Sequence, residues 1–175
     1  MSGGAGMLRL YMGDGAGKTT AAAGLALRAV SHGKRVRVLQ LLKPAISPEF
    51  AALQDRFGVP VTLAHPNMPF FFQLDKAGKA DYTARTARIV PQFFTPQAGD
   101  FLLIADEMGG TLQNGMFEEG ALLKLLQALP ESVHVALTGR DFPAGVLAAA
   151  DLISEIQSRR HPFDRGVAAV EGLEF

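Results

Sequence analysis

The run Gly13-Asp14-Gly15-Ala16-Gly17-Lys18-Thr19-Thr20 combines backbone freedom, a mobile cation and two adjacent hydroxyls. Glycines at this spacing let successive N–H groups turn toward one anion. A helix starting just after them adds the positive end of its dipole. Lys18 offers a charge to phosphate oxygens, and the Thr19 hydroxyl is placed to ligate Mg²⁺. This is the chemistry of a P-loop. The strict pattern asks for Gly six residues before Lys18, where this chain has Met12, and the first glycine follows one position later. The plainer alternative is a glycine-rich turn that only joins a strand to a helix. Asp106-Glu107 speaks against it, because an acid after an apolar strand is what a P-loop protein uses to hold Mg²⁺ and its water.

These residues need a frame to bring them together. Met7–Met12 is short and apolar and predicts a buried strand ahead of the loop. Thr19–His32 has helical spacing and ends at Gly33. Arg35–Leu42 predicts a second strand, Pro48–Phe57 a helix with Pro48 in its first turn, and Pro60–Ala64 a short third strand. His65–Gly78 has no period and reads as a loop carrying Phe70, Phe71 and Phe72. Lys79–Val90 predicts a helix that Pro91 stops or kinks. Phe101–Ala105 is a continuous apolar run, hence a strand buried on both faces. Glu118–Leu129 predicts a helix, Ser132–Leu137 a strand, Pro143–Ala150 a short helix and Leu152–Ile156 a last strand, expected to be central.

Strands alternating with helices imply an α/β fold: a P-loop-like, three-layer arrangement with a mainly parallel sheet of about six strands and helices on both faces. In such a sheet ligands bind at the carboxyl ends of the strands. Lys18 and Thr19, Gln40 and Lys43, Asp106 and Glu107, and Thr138-Gly139-Arg140 should converge there. Arg140 is placed to meet phosphates, or is a surface turn.

Composition narrows the function further. The 175 residues make one domain (1–175), with the small residues Met1–Gly6 expected to be flexible. Lys plus Arg and Asp plus Glu each number 17, so a broadly basic nucleic-acid binder is excluded. With no Cys, disulfides, Cys-ligated zinc and thiol catalysis are excluded too. No stretch approaches the roughly 18 apolar residues of a membrane span, and no signal peptide is evident. A cytoplasmic protein is the expectation.

From about Leu10 to Phe175 the chain resembles the P-loop type of ATP:corrinoid adenosyltransferase. The resemblance rests on the loop with the following Ala21–Lys34, on Val38–Lys43, on Ile104–Glu107 and on Val135–Arg140. The closing blocks His161-Pro162-Phe163-Asp164-Arg165-Gly166 and Gly172–Phe175 agree as well. It implies transfer of the 5′-deoxyadenosyl group of ATP to the Co(I) of a corrinoid, with triphosphate released. The nucleophile belongs to the substrate, so the protein has only to position and stabilise.

By resemblance, Gly13, Asp14, Gly15, Ala16, Gly17, Lys18, Thr19 and Thr20 hold the triphosphate, with Lys43 and Arg140 alongside. Thr19 and Glu107 lie near Mg²⁺, with Asp106 as second choice, and Lys18, Thr19 and Glu107 carry the chemistry. Arg28, Val30 and His32 lie near the nucleoside, although His32 also reads as a cation offsetting a helix dipole. Phe70, Phe71 and Phe72 form an apolar corrinoid floor, or in part fill the core beneath the loop. A homodimer and a reductase that supplies Co(I) are further implications.

The chain departs from the family at Ala16 (usually Lys), Pro44 (usually Gly) and Arg160 (usually Lys), and it has no Trp. Two other readings therefore stand beside the transferase. One is a kinase or ATPase that cleaves the terminal phosphate. The other is a non-catalytic carrier of nucleotide or corrinoid.

Overall fold

The computed structural model describes residues 6–69, 71–160 and 165–173. Six strands form one parallel sheet: β1 (Leu8–Met12), β2 (Arg35–Gln40), β3 (Val61–Leu63), β4 (Asp100–Asp106), β5 (His134–Thr138) and β6 (Leu152–Glu155). Their order is β3-β2-β4-β5-β1-β6, so the last strand is a largely exposed edge strand and not the central one expected. Thus β5 separates the strand that feeds the glycine loop from the strand that ends in Asp106. The expected α/β three-layer architecture is the observed one.

Alternating side chains of β4 divide the core. Leu102 and Ile104 face α1 (Lys18–Ser31) and α2 (Pro48–Phe57). Leu103 and Ala105 face α3 (Lys76–Phe94), α4 (Met108–Gln113), α5 (Glu119–Gln127) and α6 (Ala144–Ala149). The buried face of α1 is Ala22, Ala23, Ala26 and Ala29. Methyl-sized side chains let this helix lie close to the sheet, and the Phe50 and Leu53 side chains of α2 complete that layer.

The structure corrects the expected course of α3. It begins at Lys76, where Asp75 accepts the Gly78 N–H at 2.7 Å as an N-cap, and it continues through Pro91 to Phe94. An interior proline costs about 3 kcal/mol. The turn beyond it buries Phe93 and Phe94, and each buried ring returns roughly 1.5–3 kcal/mol. Two rings outweigh one proline. The expected loop His65–Gly78 also contains a 3-10 turn, Phe71–Gln73.

The helix α4 was not expected at all, because Gly109 and Gly110 mask a helical pattern. The glycine at 109 answers to space: a Cβ there would meet the Asp141 carbonyl oxygen at 2.4 Å. Beneath the sheet, Arg37 and Asp100 form a buried bidentate pair at 3.0 and 2.7 Å. It ties β2 to the start of β4.

Candidate functional site

The loop between β1 and α1 is built from bends that only glycine makes cheaply. Gly13 has φ 106° and Gly17 has φ 101°, in the left-handed region where a Cβ is penalised. The Gly13 N–H donates to the Arg140 carbonyl at 2.9 Å, and the Gly15 N–H donates to Ile156 at 2.8 Å. The loop is thereby pinned to the ends of β5 and β6. Lys18 Nζ donates to the carbonyls of Gly13 and Gly15, each at 2.7 Å. The ammonium is folded back over its own loop, and burial pushes its pKa down from the usual lysine value.

Asp106 is the hub. Its carboxylate is fully buried and takes four donors from four elements. Oδ1 accepts from Thr19 Oγ1 at 3.0 Å and from Thr138 Oγ1 at 2.7 Å. Oδ2 accepts from Gln40 Nε2 at 2.9 Å and from Lys43 Nζ at 2.7 Å. Lys43 Nζ also reaches Thr19 Oγ1 at 3.2 Å. Gln40 is itself held by Ser47, whose Oγ accepts from Nε2 and whose N–H donates to Oε1, both at 2.9 Å. Lone pairs so fully engaged hold this carboxylate in a fixed position.

Glu107 is different. It sits at φ 63° in the left-handed region, at a cost of about 1–3 kcal/mol for a non-glycine residue. Its N–H is held by Thr138 Oγ1 at 2.9 Å, while its carboxylate meets no hydrogen-bond donor among the described residues. Burial first, and the neighbouring charge of Asp106 second, push its pKa above the usual carboxylate range. A partly buried acid held by strain and lacking a donor is suited to accept a cation. The available donors, the Thr19 hydroxyl and the two carboxylates, are all oxygen. No cluster of three or more metal-ligating side chains occurs among the described residues. That set fits Mg²⁺, which takes one or two protein oxygens and fills its shell with phosphate and water.

The expected residues are distributed as follows. Gly13, Gly15, Gly17, Lys18, Thr19, Lys43, Asp106 and Glu107 converge with Gln40 and Thr138. Asp14, Ala16 and Arg140 are exposed along the loop margin, and Arg140 lies close enough to act electrostatically on both Lys18 and Glu107. Thr20 turns aside and donates to Glu49 at 2.9 Å.

Arg28, Val30 and His32 are the residues that the resemblance puts near the nucleoside. They ride α1 away from the loop, and ten residues of helix separate Arg28 from Lys18 by about 15 Å. Arg28 and His32 line a cavity at the amino ends of the strands, and Val30 packs against the core.

In the aromatic run, Phe71 turns inward with its ring edge-on to Tyr82 at 5.4 Å, whereas Phe72 is 76% exposed. Phe70 and His161–Asp164 lie outside the described residues, as do Met1–Ala5. Ser47 was missed by the sequence reading, although a serine directly before a helix-starting proline is a legible N-cap signal.

The family model described as ATP:corrinoid adenosyltransferase BtuR/CobO/CobP matches residues 4–175. The chain is 32% identical over 172 residues to a corrinoid adenosyltransferase of Pseudomonas aeruginosa, covering 97% of this chain and 84% of that protein. It is 31% identical over 176 residues to one from Escherichia coli K12, covering 97% and 86%. A corrinoid adenosyltransferase, CobA, of Salmonella typhimurium is 31% identical over 173 residues, with 97% and 86% covered.

Proposed function

The chain belongs to the ATP:corrinoid adenosyltransferase family and moves the 5′-deoxyadenosyl group of ATP to the Co(I) centre of a corrinoid, with release of triphosphate, and from that premise we propose how its own residues do so. The loop 13–20 cradles the triphosphate. Lys18 leaves the Gly13 and Gly15 carbonyls for phosphate oxygens, with Arg140 at the margin. Lys43 stands on the same side and supplies a second cation where Ala16 leaves the loop without one.

Thr19 and Glu107 hold Mg²⁺, and the saturated Asp106 orients Thr19 and Lys43 rather than ligating directly. Mg²⁺, when bound, neutralises charge on the leaving triphosphate. The cobalt electron pair attacks the ATP 5′-carbon, the carbon–oxygen bond to the triphosphate breaks, and the leaving charge falls among Lys18, Lys43 and Arg140. The protein contributes position and preorganised charge. Phe72 offers the apolar surface for the corrinoid, and Phe71 anchors its turn to α3.

The observation that carries this reading is the Asp106 hub. One carboxylate ties Thr19 of the loop to Lys43, Gln40 and Thr138, so the cations and hydroxyls are already aimed when ATP arrives. Residues 1–175 act as one nucleotide-binding domain. The cytoplasm is its working compartment, and a reductase supplies Co(I). The exposed Leu152 and Ile153 of the edge strand β6, with Leu173 at 81% exposure, favour burial against a second copy in a homodimer.

The test is anoxic. The protein is mixed with Mg-ATP and a chemically reduced Co(I) corrinoid, the visible spectrum is followed and the phosphate product identified. Loss of the Co(I) bands, a light-sensitive alkylcobalt product and free triphosphate are expected. ADP and phosphate with cobalt unchanged would replace the transferase with an ATPase. Binding without turnover would make the chain a carrier.

A further inference from the structure

At the end of the sheet opposite the phosphate loop lies a cavity of about 300 Å³. Because α1 runs antiparallel to the strands, its last turn arrives where β1, β4 and β5 begin. The floor is apolar: Leu25 and Ala29 from α1, Phe101 and Leu102 from β4. The rim is Arg9, Arg28, His32, Lys34 and His134, and no carboxylate lines the cavity. In a chain with as many acids as bases, that segregation is a feature of the fold and not of composition.

The rim groups are also uncommitted. The ion pairs among the described residues use Arg35, Arg37 and Lys43, none of them on this rim. Lys34 Nζ stands 5.1 Å from the centre of the Phe101 ring, and among the described residues the Arg9 guanidinium donates only to the Met7 sulfur, at 3.9 Å. His134 Nδ1 accepts the Met7 N–H at 3.1 Å. In the neutral ring the proton therefore sits on Nε2, which makes His134 a donor. Its ring is edge-on to Phe101 at 4.7 Å. Every polar side chain at the mouth donates and none is an obligate acceptor, while the body of the cavity offers apolar and aromatic surface.

We propose that this cavity is a second ligand site, separate from the phosphate loop, that takes a small organic anion with a flat apolar body, such as an aromatic carboxylate, sulfonate or phosphate ester. The volume lies at the lower end of what small-molecule sites occupy. The anion would supply the acceptors the rim lacks, and the flat body would stack within reach of Phe101 with Lys34 and Arg28 above it. The site stands whatever reaction the phosphate loop performs, since its residues and that loop occupy opposite edges of the sheet.

The probe is 8-anilinonaphthalene-1-sulfonate, whose fluorescence rises in apolar surroundings. It is titrated into the full chain at low salt, with and without saturating Mg-ATP. One saturable site per chain is expected, undisturbed by ATP and retained in Lys18→Ala. Arg28→Glu is expected to weaken it at least tenfold, and the uncharged N-phenyl-1-naphthylamine to bind at least tenfold more weakly. Arg28 is exposed on α1, and an unchanged melting curve will show that its variant is folded. Competition by ATP would overturn the proposal, as would equal binding of the neutral probe or an unchanged affinity in Arg28→Glu. Sedimentation of the same variant closes the remaining route. If Arg28→Glu turns a dimer into a monomer, the face is an interface between copies and the ligand site is refuted.

Discussion

Thr19 Oγ1, in the first turn of α1, lies 3.0 Å from Asp106 Oδ1 at the end of β4, although β1, the strand that leads into the loop before α1, is not a neighbour of β4. The intervening β5 contributes Thr138, which bonds the same oxygen at 2.7 Å. The loop hydroxyl is thus oriented by a group 87 residues away. The two acids in sequence then have different surroundings, and the proposed mechanism gives them different tasks. Asp106 accepts four hydrogen bonds, whereas the Glu107 carboxylate meets no donor among the described residues.

That division is testable by conservative substitution. Glu107→Gln should raise the Mg²⁺ concentration needed for half-maximal adenosyl transfer by roughly tenfold, the worth of one charged interaction, with little change in melting temperature. Asp106→Asn should instead lower kcat at saturating Mg²⁺ and also lower the melting temperature, because Lys43 loses its partner. Equal Mg²⁺ dependence in the two variants would contradict the assignment.

Lys18→Ala should reduce kcat on the order of 10²–10³-fold, as expected for removing a preorganised stabiliser of the leaving group. Its hydrogen bonds among the described residues are two, to the carbonyls of Gly13 and Gly15, so folding should be affected only modestly. Lys43→Ala should be milder in ATP binding but should uncouple Thr19, which a Thr19→Ala, Lys43→Ala double-mutant cycle on kcat would reveal as non-additivity.

Phe71 and Phe72 are neighbours with opposite surroundings, and their alanine variants should separate. Phe72→Ala is expected to raise the corrinoid KM roughly tenfold or more, from the apolar surface lost, at constant melting temperature. Phe71→Ala should cost stability through the lost contact with Tyr82. A KM effect confined to Phe71→Ala would reverse the roles given to these rings.

His65 should set part of the acid limit of stability. It is fully buried, stacked on Tyr82 at 3.3 Å, with Nε2 at 3.1 Å from the Tyr82 carbonyl and Nδ1 without a hydrogen-bond partner among the described residues. Burial pulls its pKa from 6.5 down to about 4. Below pH 6.5 the unfolded chain takes up a proton that the folded chain refuses, so stability is full above 6.5 and falls until about pH 4. The loss is at most roughly 3 kcal/mol for a shift of this size. His134, also lowered by burial, adds slope of the same sign. Melting curves from pH 7 to 4 should therefore flatten, but not become level, in His65→Asn.

The Arg37–Asp100 pair offers a control outside the site. Asp100→Ala leaves a buried guanidinium uncompensated and should destabilise by about 3–5 kcal/mol in denaturant titration. The kinetic constants of the folded fraction should stay near those of the parent.

Sequence alone determined the order of the six strands and of every helix but α4, because hydrophobic period and glycine punctuation are local signals, and it singled out the Gly13–Thr20 run between the first strand and the first helix. It also named the strand ends that would meet. Other features belonged to tertiary structure. Pro91 did not end α3, since the burial of Phe93 and Phe94 outweighs the local cost of proline, and no local rule contains that burial. The resemblance ranks Glu107 ahead of Asp106, but the different surroundings of the two were not legible in the residues themselves, because both are acids at one strand end. Only packing decides that one is encircled by donors while the other is turned out at a left-handed φ. Arg28 and His32 stand at the end of α1 remote from the loop, a place set by the length of that helix and not by the types of the two residues. Spacing along a chain fixes which residues can share an element. Distance between elements, and therefore the identity of a site, is set by how the elements pack.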